Sequence, residues 1–116
     1  MTSLVTGGNG FIGQALVREL VERGEEVVVF DAQDRAEQLD SLDKKVMFVQ
    51  GDLAELSDVS SVVKQYRPQT IFHLGAMISL AAEVAPQRAF RVNLGGTFNL
   101  LEAVRLFDVE TLVYAS

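Results

Sequence analysis

The stretch Thr6-Gly7-Gly8-Asn9-Gly10-Phe11-Ile12-Gly13 decides how this chain folds. Read from Gly8 it satisfies G-x-G-x-x-G, and read from Gly7 it satisfies G-x-x-G-x-x-G. Glycines gather in any turn, so the spacing alone says little and the flanks say more. Thr2 to Thr6 is short, apolar and β-branched, and reads as a strand. Phe11 to Arg23 carries Ile12, Ala15, Leu16, Val17, Leu20 and Val21 at helical spacing, which makes a broad apolar face. Strand, bare turn and helix in that order form an anion site. N–H groups at a helix N-terminus point at the ligand, and the macrodipole favours negative charge. Side chains on the turn would hold a phosphate away. Gly7 opens the turn, Gly10 is expected to approach a pyrophosphate most closely, and Gly13 is expected to let the helix pack tightly on the sheet.

Moving outward, Gly24 reads as a helix stop, since glycine enters the left-handed conformation without strain. Glu26 to Asp31 is a second strand centred on Val27-Val28-Val29-Phe30. Asp31 follows Gly13 by eighteen residues. In a doubly wound sheet that spacing sets its carboxylate beside an adenosine ribose, where it accepts hydrogen bonds from the hydroxyls. A carboxylate there repels a 2′-phosphate, so the expected cofactor is NAD rather than NADP. Arg35, flanked by Asp34 and Glu37, reads as a solvated surface charge. The plain alternatives are a strand-end carboxylate in water and a ligand-free glycine turn.

The polar segment from Ala32 to Lys45 has room for a short helix. Val46 to Val49 reads as a third strand, and Leu56 to Tyr66 as a helix carrying Val59, Val62, Val63 and Tyr66. Arg67-Pro68 closes it, because the residue before a proline is pushed out of the helical region. Thr70 to Leu74 is a fourth strand. Pro86 to Phe107 is a long helix with its proline in the first turn, and Thr111 to Ala115 is a fifth strand. No repeat, linker or low-complexity tract interrupts the pattern, so residues 1–116 read as one domain. The alternation predicts an α/β fold: a Rossmann-like, doubly wound parallel sheet of five strands in the order 3-2-1-4-5, with helices on both faces.

Composition narrows the function classes. With 116 residues, 48% of them apolar, the chain can bury a core. No apolar run approaches the ~18 residues of a membrane span. No basic segment precedes Leu4 and Val5, so no secretory signal is expected and a cytoplasmic location is. There is no cysteine, hence no disulfide framework and no thiolate metal site. The net charge is -6 with no basic cluster, which argues against nucleic acid and membrane as partners. His73 is the only histidine; lacking a cysteine or histidine partner, it reads as neither a metal ligand nor a nucleophile's base.

Six landmarks then carry a resemblance. TGGNGFIG at 6–13, VVVFD at 27–31, Gly51-Asp52-Leu53, His73-Leu74-Gly75-Ala76, Asn93-Leu94-Gly95-Gly96-Thr97 and Leu112-Val113-Tyr114-Ala115-Ser116 resemble, in order, those of the extended short-chain dehydrogenases/reductases, also called NAD-dependent epimerases/dehydratases. The resemblance implies that Phe11 and Ile12 offer backbone N–H groups to the pyrophosphate. It implies that Asp52 accepts a hydrogen bond from the adenine amino group, with Leu53 against the ring. Leu74, Gly75 and Ala76 would line the ribose and nicotinamide side, and Asn93 would point toward the cofactor end of the sheet. Asp52 as a turn cap and Asn93 as a backbone-satisfied buried amide stay open. Gly75 stands where the family more often has alanine, which would loosen that loop.

In the family, chemistry falls to a Ser or Thr just after the fifth strand and to a Tyr-x-x-x-Lys pair on the next helix. Ser116 is expected one residue before that hydroxyl. No Tyr-x-x-x-Lys occurs here: Tyr66 is followed by Arg67-Pro68, and Tyr114 by Ala115-Ser116. The chain is therefore expected to be the NAD-binding N-terminal part of an oxidoreductase acting on a nucleotide-sugar or similar hydroxyl compound, and to be inactive alone. The alternatives are an NAD-binding module with a structural or sensing role, and the N-terminal part of a simple alcohol (amino-acid or steroid) dehydrogenase. The 86–107 helix carries two apolar stripes. One is Phe90, Leu94, Thr97, Leu101 and Val104; the other is Val92, Gly96, Leu100, Ala103 and Phe107. Arg91, Asn99, Glu102 and Arg105 form its polar sector. One stripe suffices to cover a sheet, so a homodimer through this helix is expected, with Gly95-Gly96 allowing close approach and Leu100→Glu breaking the contact.

Overall fold

The computed structural model describes residues 1–33 and 46–115. The proposed short helix beyond Gln33, the cluster of Asp34, Arg35 and Glu37, and Ser116 lie outside the described residues. Strand β1 (Thr2–Thr6) leads through the glycine turn into α1 (Phe11–Glu22), and β2 (Glu26–Asp31) follows. Then come β3 (Val46–Gln50), α2 (Leu56–Tyr66) and β4 (Thr70–His73). Beyond them lie α3 (Ser79–Val84), α4 (Pro86–Phe90), a π-helical turn (Arg91–Gly95), α5 (Gly96–Phe107) and β5 (Thr111–Tyr114). Two of the expected helix ends have the expected backbone. Gly24 has φ +82°, and Arg67, before Pro68, leaves α2 at φ 46°.

All five strands run parallel in the order 3-2-1-4-5. Successive side chains of a strand point to opposite faces, and both faces of this sheet are apolar. Val5, Val27 and Val29 meet Val17 and Leu20 of α1 on one side. Leu4, Val28, Phe30 and Ile71 meet Val59, Val62 and Val63 of α2, together with Leu100 and Ala103 of α5, on the other. A parallel sheet between helices is expected to be apolar on both faces. The loops at the C-terminal ends of β1, β2, β3 and β4 therefore gather at one edge.

The long helix read over 86–107 is present in extent but not as one α-helix. Its π turn closes rings over five residues instead of four, so positions beyond it are displaced by one from a plain helical wheel. The outer stripe accordingly runs Phe90, Leu94, Phe98 and Leu101, each more than half exposed, while Thr97 turns inward. The second stripe, expected to meet a partner molecule, packs instead on the chain's own core: Val92, Gly96, Leu100 and Ala103 are buried. A Cβ at Gly96 would lie 2.8 Å from Leu53 Cβ, whereas nothing lies within 4 Å of one at Gly95. The close approach that Gly96 permits is thus intrachain. Helix α3, with no buried residue, is absent from the sequence-based expectation. Leu100→Ala is expected to lower unfolding stability by about 2–5 kcal/mol, and Leu101→Ala by no more than about 0.5 kcal/mol. Urea unfolding of the two variants checks this, and the opposite ranking would reverse the assignment of the helix faces.

Candidate functional site

The turn after β1 is shaped by close approaches that exclude side chains. Gly7 has φ +71°, and a Cβ there would sit 2.8 Å from Gly75 N. A Cβ on Gly13 would lie 2.2 Å from Gly7 O and 2.7 Å from Gly8 Cα. The glycine expected to seat α1 on the sheet seats it on the turn itself. Gly10, the N-cap, supplies no side-chain cap, and the first turn holds no acidic residue. The first-turn N–H groups have no acceptor one turn back, and no carboxylate in that turn competes for them. Ile12, expected on the apolar face, is 69% exposed beside the still more exposed Phe11. The first turn of α1 stands where β1 has already ended, so these two side chains border a cleft rather than the core.

That cleft, of about 580 Å³, lies at the C-terminal edge of the sheet. Ten residues singled out from sequence line it: Gly7, Gly10, Phe11, Ile12, Asp31, Asp52, Leu53, Leu74, Gly75 and Ala76. Gly13 and Asn93 do not. Met77, Ile78, Arg88 and Val92 also line it, and the sequence reading missed them. Among the described residues, no group of three or more acidic, histidine or cysteine side chains could hold a metal ion.

Two carboxylates stand at the strand ends. Asp31 Oδ2 accepts the Asn9 N–H at 3.2 Å and Oδ1 the Gln33 N–H at 3.0 Å, which ties the end of β2 to the glycine turn. Asp52 does cap a turn, accepting the Ala54 N–H at 2.9 Å, and its other oxygen pairs with Arg88 of α4 at 2.7 Å. Partial burial alone would raise the Asp52 pKa. The Arg88 hydrogen bond, the Ala54 N–H and the charges of Arg88 and Arg91 outweigh it and hold the carboxyl below its usual range. Each oxygen keeps a lone pair for a further donor. Leu53 is buried, its carbonyl held by Asn99 Nδ2 at 2.8 Å, so Asn99 belongs to the support of the site and not to a solvated sector. A Cβ at Gly75 would meet Leu53 Cδ1 at 2.7 Å. An alanine there requires the end of the Leu53 side chain to move and crowds Thr6 Oγ1 at 3.3 Å.

The loop after β4 hangs on a buried chain of hydrogen bonds. Thr6 Oγ1 accepts the N–H groups of Leu74 (3.1 Å) and Gly75 (3.0 Å) and lies 2.7 Å from His73 Nδ1. His73 Nε2 lies 2.9 Å from Thr97 Oγ1, which donates to Asn93 O at 2.7 Å. Thr97 has spent its only hydrogen on that carbonyl, so it accepts from Nε2–H. Nδ1 is then the unprotonated nitrogen and accepts from the Thr6 hydroxyl. Asn93, inside the π turn, closes the arrangement: Oδ1 accepts the Met77 N–H at 2.8 Å and Nδ2 donates to Met77 O at 2.9 Å. It is a backbone-satisfied amide that positions the cleft wall. The arrangement offers bare helix N–H groups for an anion, a carboxylate for hydroxyls across from them, and an apolar lining formed by Leu53, Val92, Met77 and Ile78.

Residues 3–116 match the NAD dependent epimerase/dehydratase family. The chain belongs to that family. It is 36% identical to CDP-paratose 2-epimerase of Salmonella typhi over all of this chain and 36% of that protein. It is 40% identical to 3-beta-hydroxysteroid dehydrogenase of Mycolicibacterium neoaurum over 97% of this chain and 30% of that one. The structure of Thermus thermophilus UDP-glucose 4-epimerase in complex with NAD superposes with a TM-score of 0.87 at 41% identity, covering all of this chain and 37% of that one. The chain thus spans about a third of the length of the relatives it matches.

In this family member His73, only 1% exposed, is held neutral: burial lowers its pKa to about 4. A proton on Nδ1 would face a hydroxyl whose lone pairs already receive two N–H groups, so the network opposes the charge as well. The unfolded imidazole titrates near 6.5, hence the unfolded state binds more protons between about pH 6.5 and 4, and stability falls as pH drops through that window. It is fully present above about pH 6.5. No other histidine competes, so we expect a loss of up to about 2 kcal/mol between about pH 7 and 5, absent in His73→Gln. Denaturant unfolding across that range measures it; equal slopes for parent and variant would refute the assignment.

Proposed function

We propose that these 116 residues form the NAD-binding domain of an epimerase/dehydratase-type oxidoreductase acting on a nucleotide-sugar or similar hydroxyl compound. One observation carries this reading: an uncapped helix N-terminus on a glycine-rich turn lines one cleft together with Asp31 and Asp52. Bound there, NAD supplies a hydride acceptor for a carbon of the substrate. The chain's own part is to bind and orient. Gly7, Gly10 and the N–H groups of Phe11 and Ile12 take the pyrophosphate, and Asp31 accepts from the ribose hydroxyls. Asp52 and Leu53 receive the adenine, and Leu74, Gly75 and Ala76 shape the far end. Gly13 and Asn93 act through the turn and the loop they hold. Lacking a Tyr-x-x-x-Lys pair, the 116 residues alone turn over no substrate. A second reading, a simple alcohol dehydrogenase of an apolar substrate, is favoured by Met77 and Ile78 in the cleft wall and by the hydroxysteroid dehydrogenase relative.

Calorimetric titration tests the cofactor assignment. NAD should bind at least about tenfold more tightly than NADP, the equivalent of about 1.4 kcal/mol, and Asp31→Ala should weaken NAD and narrow the gap. Equal or reversed affinities in the parent chain would overturn it. We also propose that the outer stripe of the 86–107 segment meets a second copy. Phe90, Leu94, Phe98 and Leu101 lie on one face of a helix whose opposite face is already buried, and a two-fold contact sets like side chains against each other. Sedimentation at micromolar concentration should show a dimer that Leu101→Glu dissociates. A monomeric parent, or a dimer indifferent to that change, would rule out this contact.

A further inference from the structure

One side chain in the glycine turn has no role in the binding scheme above, although it is buried and makes unusual contacts. Asn9 is 3% exposed. Its backbone N–H donates to Asp31 Oδ2 at 3.2 Å, its Nδ2 donates to Gln33 O at 2.8 Å, and its carbonyl accepts Gln14 Nε2 at 2.8 Å. Asp31 Oδ1 in turn accepts the Gln33 N–H at 3.0 Å. Asn9, Asp31 and Gln33 thus form a closed ring of three bonds at the edge of the cleft. The orientation of the amide is fixed, because its reversal would set two oxygens against each other at Gln33. Among the described residues, that leaves Asn9 Oδ1 buried with no donor. A buried acceptor without a partner is destabilising, so stability does not explain an asparagine at this position. The link it makes between the turn and the chain after β2 does.

We propose that Asn9 is a specificity-determining positioning residue, fixing the Asp31 carboxylate and the Ala32–Gln33 wall beside it. It thereby sets how strongly the cleft rejects a dinucleotide carrying a 2′-phosphate. The inference rests on the reading of the cleft as an NAD site. Both Asp31 oxygens are held by backbone N–H groups, so the carboxylate cannot swing away from a 2′ substituent while the ring is closed. Without the Asn9 amide both N–H groups still reach Asp31, but Gln33, which carries one of them, is no longer tied to the turn, so the wall can shift and take the carboxylate aside to admit the phosphate.

The test titrates NAD and NADP into the full chain, Asn9→Ala, Asp31→Ala and the double variant by calorimetry, with urea unfolding of each beside it. Asn9→Ala should reduce the preference for NAD over NADP by about tenfold, the effect of losing one good hydrogen bond to the arrangement. Its urea unfolding should remain a single cooperative transition, so that the altered ratio is read on a folded chain. In the Asp31→Ala background the same substitution should change the ratio less than about twofold, because a positioning residue has nothing left to position. NAD binding with an unchanged ratio in Asn9→Ala, or an equal change with and without Asp31, overturns this inference alone. Binding of neither dinucleotide by the parent chain overturns the reading of the cleft and this inference with it.

Discussion

The contact on which the rest depends is backbone against backbone. Gly13 of α1 lies so near Gly7 and Gly8 that a Cβ would stand 2.2 Å from a carbonyl oxygen. That approach seats the first turn of α1 directly on the glycine turn that follows β1 and leaves its N–H groups at the C-terminal edge of the sheet. It also fixes where α1 crosses β2, and so which valines of β1 and β2 it can cover. The same turn then receives the second half of the fold, because Gly75 of the β4 loop lies against Gly7. A side chain at Gly7 would push the β4 loop away from the turn, and one at Gly13 would push α1 away from it.

The cleft is built from two kinds of constraint. On the β1–β2 side the constraints are steric, and the ring of Asn9, Asp31 and Gln33 adds orientation. On the β4 side they are polar and buried: Thr6, His73, Thr97 and Asn93 hold loop 74–77 at both ends. Buried networks of this kind fix one geometry when every member is satisfied. Here each hydrogen has a single consistent acceptor, which fixes the tautomer of an imidazole that burial keeps neutral. The histidine that invites a catalytic reading serves as a two-sided strut. The π turn places Asn93 opposite Met77, and Asn99, further along in α5, holds the Leu53 carbonyl.

Much of the fold was legible because its determinants are local. The β-branched runs, the helical spacing of Val59, Val62 and Val63, Gly24 and Arg67-Pro68 mark elements and their ends without reference to distant residues. Ten of the twelve residues singled out for the site line one cleft, since a bare turn between strand and helix can do little else. The misses have physical reasons. Helix α3 is six residues long with no buried position, so it carries no periodic apolar signal. Ile12 fits a helical wheel, but the wheel does not say where the sheet beneath it ends. Both stripes of the 86–107 segment are apolar, and composition cannot tell which of them faces the core.

What the sequence by itself determined is the order of strands and helices, the glycine-rich turn and the acid at the end of β2. Each follows from backbone sterics or from patterns within a few residues. Tertiary structure alone decided that Asn93 and His73 support the cleft and that Arg88 reaches Asp52. It decided too that Asn9 joins the turn to the end of β2, and that Leu100 rather than Leu101 is core. The hydrogen bonds among these outcomes join partners 16 to 67 residues apart. A hydrogen bond between such partners leaves no pattern in the chain, because it forms only after packing has brought together groups that the sequence holds apart.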